Sequence, residues 1–355
     1  MKLTDYTTLG RSGLRVSPLA LGTMTFGTDW GWGADEAACR DLFDYYVDAG
    51  GNFIDTADGY TSGKSEELVG KFVAERKLRD RVVVATKFSF NAEAGNPNAG
   101  GNGRKNIRRA LEGSLRRLGM DYVDVYYLHA WDQVTPVQEV LTTLNDLVRE
   151  GKVLHVGLSD VPAWYAARYQ TLADEHLKEP IVALQLEYSL VERNIEREHV
   201  PLARELGMSI VPWSPLASGF LSGKYQRPTE GSTGVGEGRL QTLKDSGNPG
   251  FAKFSARNWD ILDALTAVAR ELGKPPAEVA LSWVVGRAGV GSTLIGATKR
   301  AQLESNVAAL SIDIPEEHRA RLDDASKLDV VHPYMFFAEP FTSMLSGGTA
   351  LRGFR

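Results

Sequence analysis

The sequence is poor in the features that staple, anchor or metallate a chain. Of its 355 residues only Cys39 is cysteine, so no intramolecular disulfide forms and a structural zinc site built on several cysteines is excluded. No run of roughly 18 apolar residues occurs, which excludes a membrane-spanning helix. The start, MKLTDYTTLG, lacks the apolar stretch of a secretory signal. The cytoplasm is the expected location, with no membrane partner. The six histidines, at positions 129, 155, 176, 199, 318 and 332, include no H-x-H or H-x-x-x-H pair. A metal-dependent hydrolase, which needs several ligands at one site, is therefore disfavoured, and no metal site is expected. Lys and Arg total 40 against 45 Asp and Glu, a net charge of −5. That balance lacks the basic footprint of a nucleic-acid binder.

What is present is enough apolar sequence for a packed core, 43% hydrophobic against 24% charged residues. Eight short β-branched runs recur: Leu19–Leu21, Phe53–Asp55, Val82–Thr86, Val123–Leu128, Val153–Leu158, Ile181–Leu186, Ser209–Trp213 and Thr293–Gly296. Amphipathic stretches such as Glu36–Ala49, Glu66–Val73, Lys105–Leu118 and Val137–Glu150 lie between them. Two more, Trp259–Leu272 and Pro276–Gly286, separate the last two runs. Strands alternating with helices predict parallel pairing through right-handed crossovers, and eight such units predict a (β/α)8 TIM barrel, an α/β fold. A doubly wound sheet is the rival, but the first run leads into LGTMTFG, which lacks G-x-G-x-x-G. The segment YTTLGRSGLRVSPLALG reads as an N-terminal β-hairpin able to close the barrel floor. The stretches 95–103 and 227–238 read as loops by composition. Residues 1–355 read as one barrel domain, with a C-terminal extension over about 329–355 near the substrate pocket.

Barrel enzymes place their chemistry where strands end at the C-terminal face. The second run ends in Asp55, with Tyr60 five residues on; the third leads to Lys87, the fourth to His129 and the fifth to Ser159. The sixth carries Gln185, the seventh ends in Trp213 and the eighth in Gly296. Asp55 with Lys87 is also readable as a structural ion pair, and a lone His after an apolar strand as a hydrogen-bonded core residue. Four such groups converging on one mouth favour chemistry. They suit proton donation by a phenol: an ammonium lowers a tyrosine pKa from its ordinary value of about 10, a carboxylate holds the ammonium, and a neutral imidazole orients a carbonyl.

The motifs GLRVSPLALGTMTFG, NFIDTADGY with GKSEELVG, VVVATKF, RKNIRRALEGSLRRLGMDYVDVYYLH, WSPLASGFLSGKY and LIGATKRAQLESN resemble those of the aldo-keto reductases, in order and from Leu9 to Leu310. The likeness is closest to the branch that holds bacterial reductases and the potassium-channel β-subunits. It implies a barrel that reduces aldehydes or ketones with NADPH, reversibly as alcohol oxidation, and a catalytic tetrad at Asp55, Tyr60, Lys87 and His129. It further implies that Trp213 stacks on the nicotinamide, that Gln185 and Ser159 bond its carboxamide, and that Thr23 and Met24 lie near the cofactor beside Asp55. By the same likeness the backbone around Ser214, Leu216, Ser218 and Lys224 holds the pyrophosphate, and Gln302 and Asn306 reach the adenine side. Gly296 allows close approach, and the helix start at Thr298, Lys299 and Arg300 offers a 2′-phosphate seat, since amide donors and two cations favour an anion. The alternative reading of that segment is a solvated basic helix start. Asp160 and Ser305 depart from the family pattern, which commonly has Asn or Arg and Glu there.

Trp30, Phe88 and Trp131 are the expected pocket walls, with Tyr334, Phe336 and Phe337 of the tail as further candidates. Such a pocket suits a small uncharged carbonyl or alcohol substrate. The sequence leaves the substrate's identity and a homo-oligomer open. An NADPH-binding redox sensor that docks on a partner is the alternative class. By family likeness the channel β-subunits carry Asn at the position of His129, so the histidine here favours turnover.

Overall fold

The computed structural model describes residues 1–228, 236, 238, 240, 241 and 247–349. Most of the loop expected at 227–238, and residues 350–355 of the tail, lie outside the described residues. A short hairpin, β1 (Thr7–Thr8) and β2 (Arg15–Val16), precedes eight strands. These are β3 (Leu19–Gly22), β4 (Phe53–Asp55), β5 (Val83–Phe88), β6 (Val123–Leu128), β7 (Val153–Ser159), β8 (Ile181–Glu187), β9 (Ser209–Trp213) and β10 (Thr293–Ile295). All eight are parallel in the order β10-β3-β4-β5-β6-β7-β8-β9. Between β9 and β10 the Ile210 amide donates to the Gly289 carbonyl (2.8 Å) and the Gly291 amide to the Ile210 carbonyl (2.9 Å), bringing the sheet round on itself. The result is the expected (β/α)8 barrel, nearly closed, with its N-terminal hairpin.

The intervening helices are α1 (Glu36–Asp48), α2 (Lys64–Glu75), α3 (Arg104–Leu118), α4 (Val137–Arg149), α5 (Ala163–Glu175), α6 (His199–Leu206), α7 (Ala256–Leu272), α8 (Pro276–Val285), α9 (Arg300–Ala308) and α10 (Glu316–Ala325). Local chemistry explains their bounds. Asp35 caps α1 by accepting the Ala38 amide at 2.9 Å, and Ser255 caps α7 through Asn258. In α3, Ile107, Ala110, Leu111, Ser114, Leu115 and Leu118 recur at helical spacing and are buried, while Arg104 and Arg116 are exposed.

Side-chain alternation divides the barrel into two cores. Ala20, Phe53, Val83, Ala85, Val125, Tyr127, Ala183, Val211 and Leu294 cluster inside the strands; Leu21, Ile54, Val84, Tyr126, Leu158 and Leu184 pack outward against the helices. Leu9 and Val16 of the hairpin segment join the inner cluster and seal the barrel floor. The hairpin turn sits hard against the strand bases: the Gly10 amide donates to Ser209 Oγ at 2.8 Å. A Cβ at Gly10 would lie 2.3 Å from the Val182 carbonyl oxygen, so only glycine fits there.

Candidate active site

The inward parity set low in the barrel carries on to its mouth. Asp55 follows Phe53 and Lys87 follows Val83 and Ala85 along their strands, and His129 follows Val125 and Tyr127 one residue past the end of β6. The Lys87 ammonium is fully buried and paired with the Asp55 carboxylate. It also donates to the Thr56 carbonyl at 2.8 Å and to Tyr60 Oη at 3.2 Å. Gln185 Nε2 donates to the other Asp55 oxygen at 2.8 Å. The His129 ring stands edge-on to Tyr60, centroids 5.9 Å apart. Tyr60 and His129 are half-buried where the mouth opens. Behind Tyr60 the chain turns through two left-handed residues, Thr61 (φ 46°) and Ser62 (φ 55°), then Gly63 (φ 92°). The Thr61 hydroxyl donates to the Phe26 carbonyl at 2.8 Å and ties this turn to the first loop.

The four residues are thus brought together, with electrostatics partly different from expectation. Burial opposes the Lys87 charge, but Asp55 and Tyr60 outweigh it and hold the lysine above its ordinary pKa, as ammonium. Burial raises the Tyr60 phenol, and the Lys87 attraction recovers only part of that. The net shift is therefore upward, correcting the expected lowering: desolvation of a phenolate outweighs one neighbouring cation already shared with Asp55. His129 falls well below the ordinary imidazole value, first through burial and then through Lys87, so the ring is neutral. Its Nδ1 is buried and has no hydrogen-bond partner among the described residues.

On the far rim Ser159 is buried and Trp213 half-buried, both on the inward parity. Trp213 Nε1 donates to Asp160 Oδ1 at 3.1 Å, and Ser159 Oγ lies 3.4 Å from Asp160 Oδ2. Asp160 itself is left-handed (φ 45°). Asp160 is exposed at its surface, yet the protein packed around it withdraws enough water from the carboxyl to push it up to about 6 against the indole bond. The loop after Trp213 contains three left-handed residues, Ser214 (φ 51°), Ala217 (φ 49°) and Ser218 (φ 55°). The Ser218 amide donates to Ser214 Oγ at 2.9 Å, and Leu216 packs on the core. Lys224 is exposed, its ammonium 5.1 Å from the Tyr225 ring centroid. On the first loop Met24 is half-buried, whereas Thr23 is fully buried, its hydroxyl bonded to the Asp55 carbonyl (2.9 Å) and Ser65 Oγ (2.8 Å).

The start of α9 is more occupied than its sequence suggested. Gln302 Oε1 accepts the Thr298 amide (3.0 Å) and the Lys299 amide (3.2 Å), so this side chain folds back as a helix cap and does not extend outward. Asn306 is buried and donates to the Gly296 carbonyl at 3.4 Å, bracing the end of β10. Arg300 donates to Asp41 of α1 (2.8 Å) and to Glu304 (2.9 Å), so both halves of its fork face carboxylates. Ser305 Oγ donates to Glu278 at 2.8 Å and joins α9 to α8. Gly296 and Lys299 are exposed, and a Cβ at Gly296 would meet only the Gly22 carbonyl oxygen, at 3.8 Å.

Of the expected pocket walls, Trp30 stands edge-on to Tyr60 at 6.5 Å and is 37% exposed. Phe88 is a correction. It has outward parity next to Lys87, is fully buried, and packs on Tyr126 at 4.9 Å behind the barrel wall. Phe90, two residues further on, is 56% exposed and edge-on to the His129 ring at 4.8 Å. Trp131 packs on Trp164 (5.4 Å) and Tyr165 (6.2 Å) at the start of α5. In the tail Tyr334 Oη donates to Glu198 (2.5 Å) beneath the Arg197 guanidinium, and Phe336 packs on Phe341. The sequence reading also passed over a buried acidic pair behind Tyr60. Glu66 accepts from Thr86 Oγ1 (2.5 Å) and Arg117 Nε (2.6 Å). Burial and then Glu66 push the Asp58 carboxyl up to about 7. Nothing short of the fold places these two together, eight positions apart across a left-handed turn.

A sequence model described as the Aldo/keto reductase family matches residues 18–327. An aryl-alcohol dehydrogenase of Pestalotiopsis microspora is 34% identical over 341 residues, covering 94% of this chain and 84% of that protein. Norsolorinic acid reductase B of Dothistroma septosporum is 35% identical over 337 residues, 92% and 82% of the two chains. An aryl-alcohol dehydrogenase [NADP(+)] of Phanerodontia chrysosporium is 34% identical over 343 residues, 92% and 87%.

Proposed function

The chain belongs to the aldo/keto reductase family and is an oxidoreductase acting on carbonyls or alcohols, and from that premise we propose that it interconverts an uncharged aryl aldehyde or ketone and its alcohol with NADPH and NADP+. The observation that carries this reading is the Lys87 ammonium, buried and bonded at once to Asp55 and Tyr60 Oη, with a neutral His129 beside the phenol. The names of two relatives specify aryl alcohols, one of them with NADP(+). Trp30 and Phe90, exposed on either side of Tyr60 and His129, suit a flat aromatic substrate.

The rim fits a dinucleotide: a half-buried indole face at Trp213, the Ser159 hydroxyl, left-handed backbone at 214–218 that turns successive amides to one side, and an open approach over Gly296. Trp213, Ser159, Ser214, Leu216, Ser218 and Lys224 would hold the nicotinamide and pyrophosphate end. Met24 would flank it, and Thr298, Lys299 and Gly296 the 2′-phosphate end. When bound, NADPH supplies the hydride to the carbonyl carbon. Tyr60 supplies the proton to the carbonyl oxygen, and its raised pKa keeps that proton in place until charge develops on the substrate. Lys87 then steadies the phenolate, with Asp55 and Gln185 fixing the ammonium. In this reading the imidazole proton of His129 is on Nε2, since the buried Nδ1 has no partner among the described residues and a buried N–H without an acceptor costs more than an unfilled lone pair. Nε2–H therefore points its hydrogen bond at the carbonyl. The whole chain acts as one barrel domain in the cytoplasm. Tyr60→Phe tests the reading: carbonyl reduction should fall at least about 100-fold while NADPH affinity stays within about twofold. Near-parental turnover in that variant would remove Tyr60 from the reaction.

A further inference from the structure

Asp160 is a residue that the reaction described above does not use. It sits at the C-terminal end of β7 in a left-handed conformation (φ 45°), an uncommon one for a non-glycine residue outside Asn and Asp. Its two oxygens engage two neighbours on the rim, the Trp213 indole N–H at 3.1 Å and Ser159 Oγ at 3.4 Å. Its amide donates to the Gln185 carbonyl at 3.3 Å, and its carbonyl accepts the Trp131 amide at 3.4 Å. The carboxyl is thus engaged by two side chains and the backbone beneath it by two more contacts, while the residue stays exposed to solvent. Nearby charges do not neutralise it. Lys87 is committed to Asp55, and Lys253 to Glu187 at 2.7 Å. Among the described residues no cation forms an ion pair with Asp160.

We propose that Asp160 is the residue by which this protein distinguishes the oxidised from the reduced nicotinamide, its carboxylate favouring NADP+ over NADPH. The inference rests on the cofactor placement proposed above. If Trp213 and Ser159 hold the nicotinamide end, a carboxylate bonded to both of them lies within contact range of that ring. The oxidised ring is a cation and the reduced ring is neutral, whereas the rest of the dinucleotide is the same in both states. A fixed negative charge here therefore acts on the difference between the two forms and on nothing else. It draws the bound equilibrium toward NADP+ and the alcohol, and slows exchange of NADP+ for NADPH when the enzyme runs as a reductase.

The test is a pair of dissociation constants, for NADP+ and for NADPH, measured without substrate at pH 8 by calorimetry on the parent and on Asp160→Asn. Asparagine keeps the shape, the acceptor for the Trp213 indole and the tolerance for left-handed backbone, and removes only the charge. The expected result is a fall of about tenfold in the preference for NADP+ over NADPH in the variant, with the thermal midpoint unchanged. An unchanged ratio overturns the proposal. The parent alone offers a second measurement that needs no variant. At pH 5 its carboxyl takes up a proton, and the ratio should move toward that of Asp160→Asn at pH 8. The 2′-phosphate titrates alike in both cofactor forms and cancels from the ratio, and a parent ratio equal at the two pH values also overturns the proposal. If the parent binds neither cofactor, it is the proposed function that fails.

Discussion

Lys87→Met isolates what the buried ion pair contributes to folding from what it contributes to chemistry. Lys87 and Asp55 have almost no side-chain exposure. At contact distance their attraction is roughly 4 kcal/mol at an effective dielectric of about 20. Deleting the ammonium leaves Asp55 buried with Gln185 Nε2 as its one side-chain donor among the described residues. Removing one partner of such a pair costs about 3–5 kcal/mol, because the remaining charge is uncompensated. For a chain of this size that lowers the thermal midpoint by roughly 4–7 °C. The loss depends on pH with a definite sign. Burial is already the largest influence on the Asp55 carboxyl and acts to raise its pKa; without Lys87 the counteracting attraction is gone. A carboxyl whose folded pKa lies above its unfolded value contributes stability at low pH and loses it as pH rises through the folded value. Lys87→Met should therefore be closer to the parent at pH 5 than at pH 8. Adding Asp55→Asn removes the stranded charge, so the double variant should recover most of the lost midpoint at pH 8 while remaining at least about 100-fold less active. Urea unfolding and carbonyl reduction on the same samples check both arms. A double variant no more stable than Lys87→Met would refute the coupling.

Phe90→Leu should lower kcat/KM for aromatic aldehydes by about fivefold relative to aliphatic ones of similar length, since the exposed ring beside His129 offers an aromatic contact worth about 0.5–1.5 kcal/mol. An equal loss on both classes would take Phe90 out of the substrate wall. Asp41→Asn should release one side of the Arg300 fork and raise the affinity ratio of NADPH to NADH severalfold. A ratio unchanged in a fluorescence titration would mean that Arg300 takes no part in 2′-phosphate recognition.

The barrel was legible because its signals are local. Each of the eight β-branched runs became a strand within two residues of its expected ends, and the amphipathic stretches between them became helices. Strand parity is also local, and it carries Asp55, Lys87, His129, Ser159 and Trp213 to the inside of the barrel together. The same parity, counted from Lys87, turns Phe88 outward, so the choice of Phe88 as a pocket wall was correctable from the sequence itself.

Other features depend on pairs that no local pattern couples. Arg300 meets Asp41 across 259 positions and Trp213 meets Asp160 across 53, so the free or engaged state of these side chains is decided by which helices and strands become neighbours. Gln302 folds back on the amides of its own helix start, a choice between two equally local geometries that depends on what else the site offers. The net rise of the Tyr60 pKa is likewise a matter of depth, since desolvation grows with the protein packed around a group and has no counterpart in spacing. Side-chain alternation belongs to the strand and can be counted along the chain. Burial and partner choice belong to the closed barrel, because they depend on every element that surrounds the site.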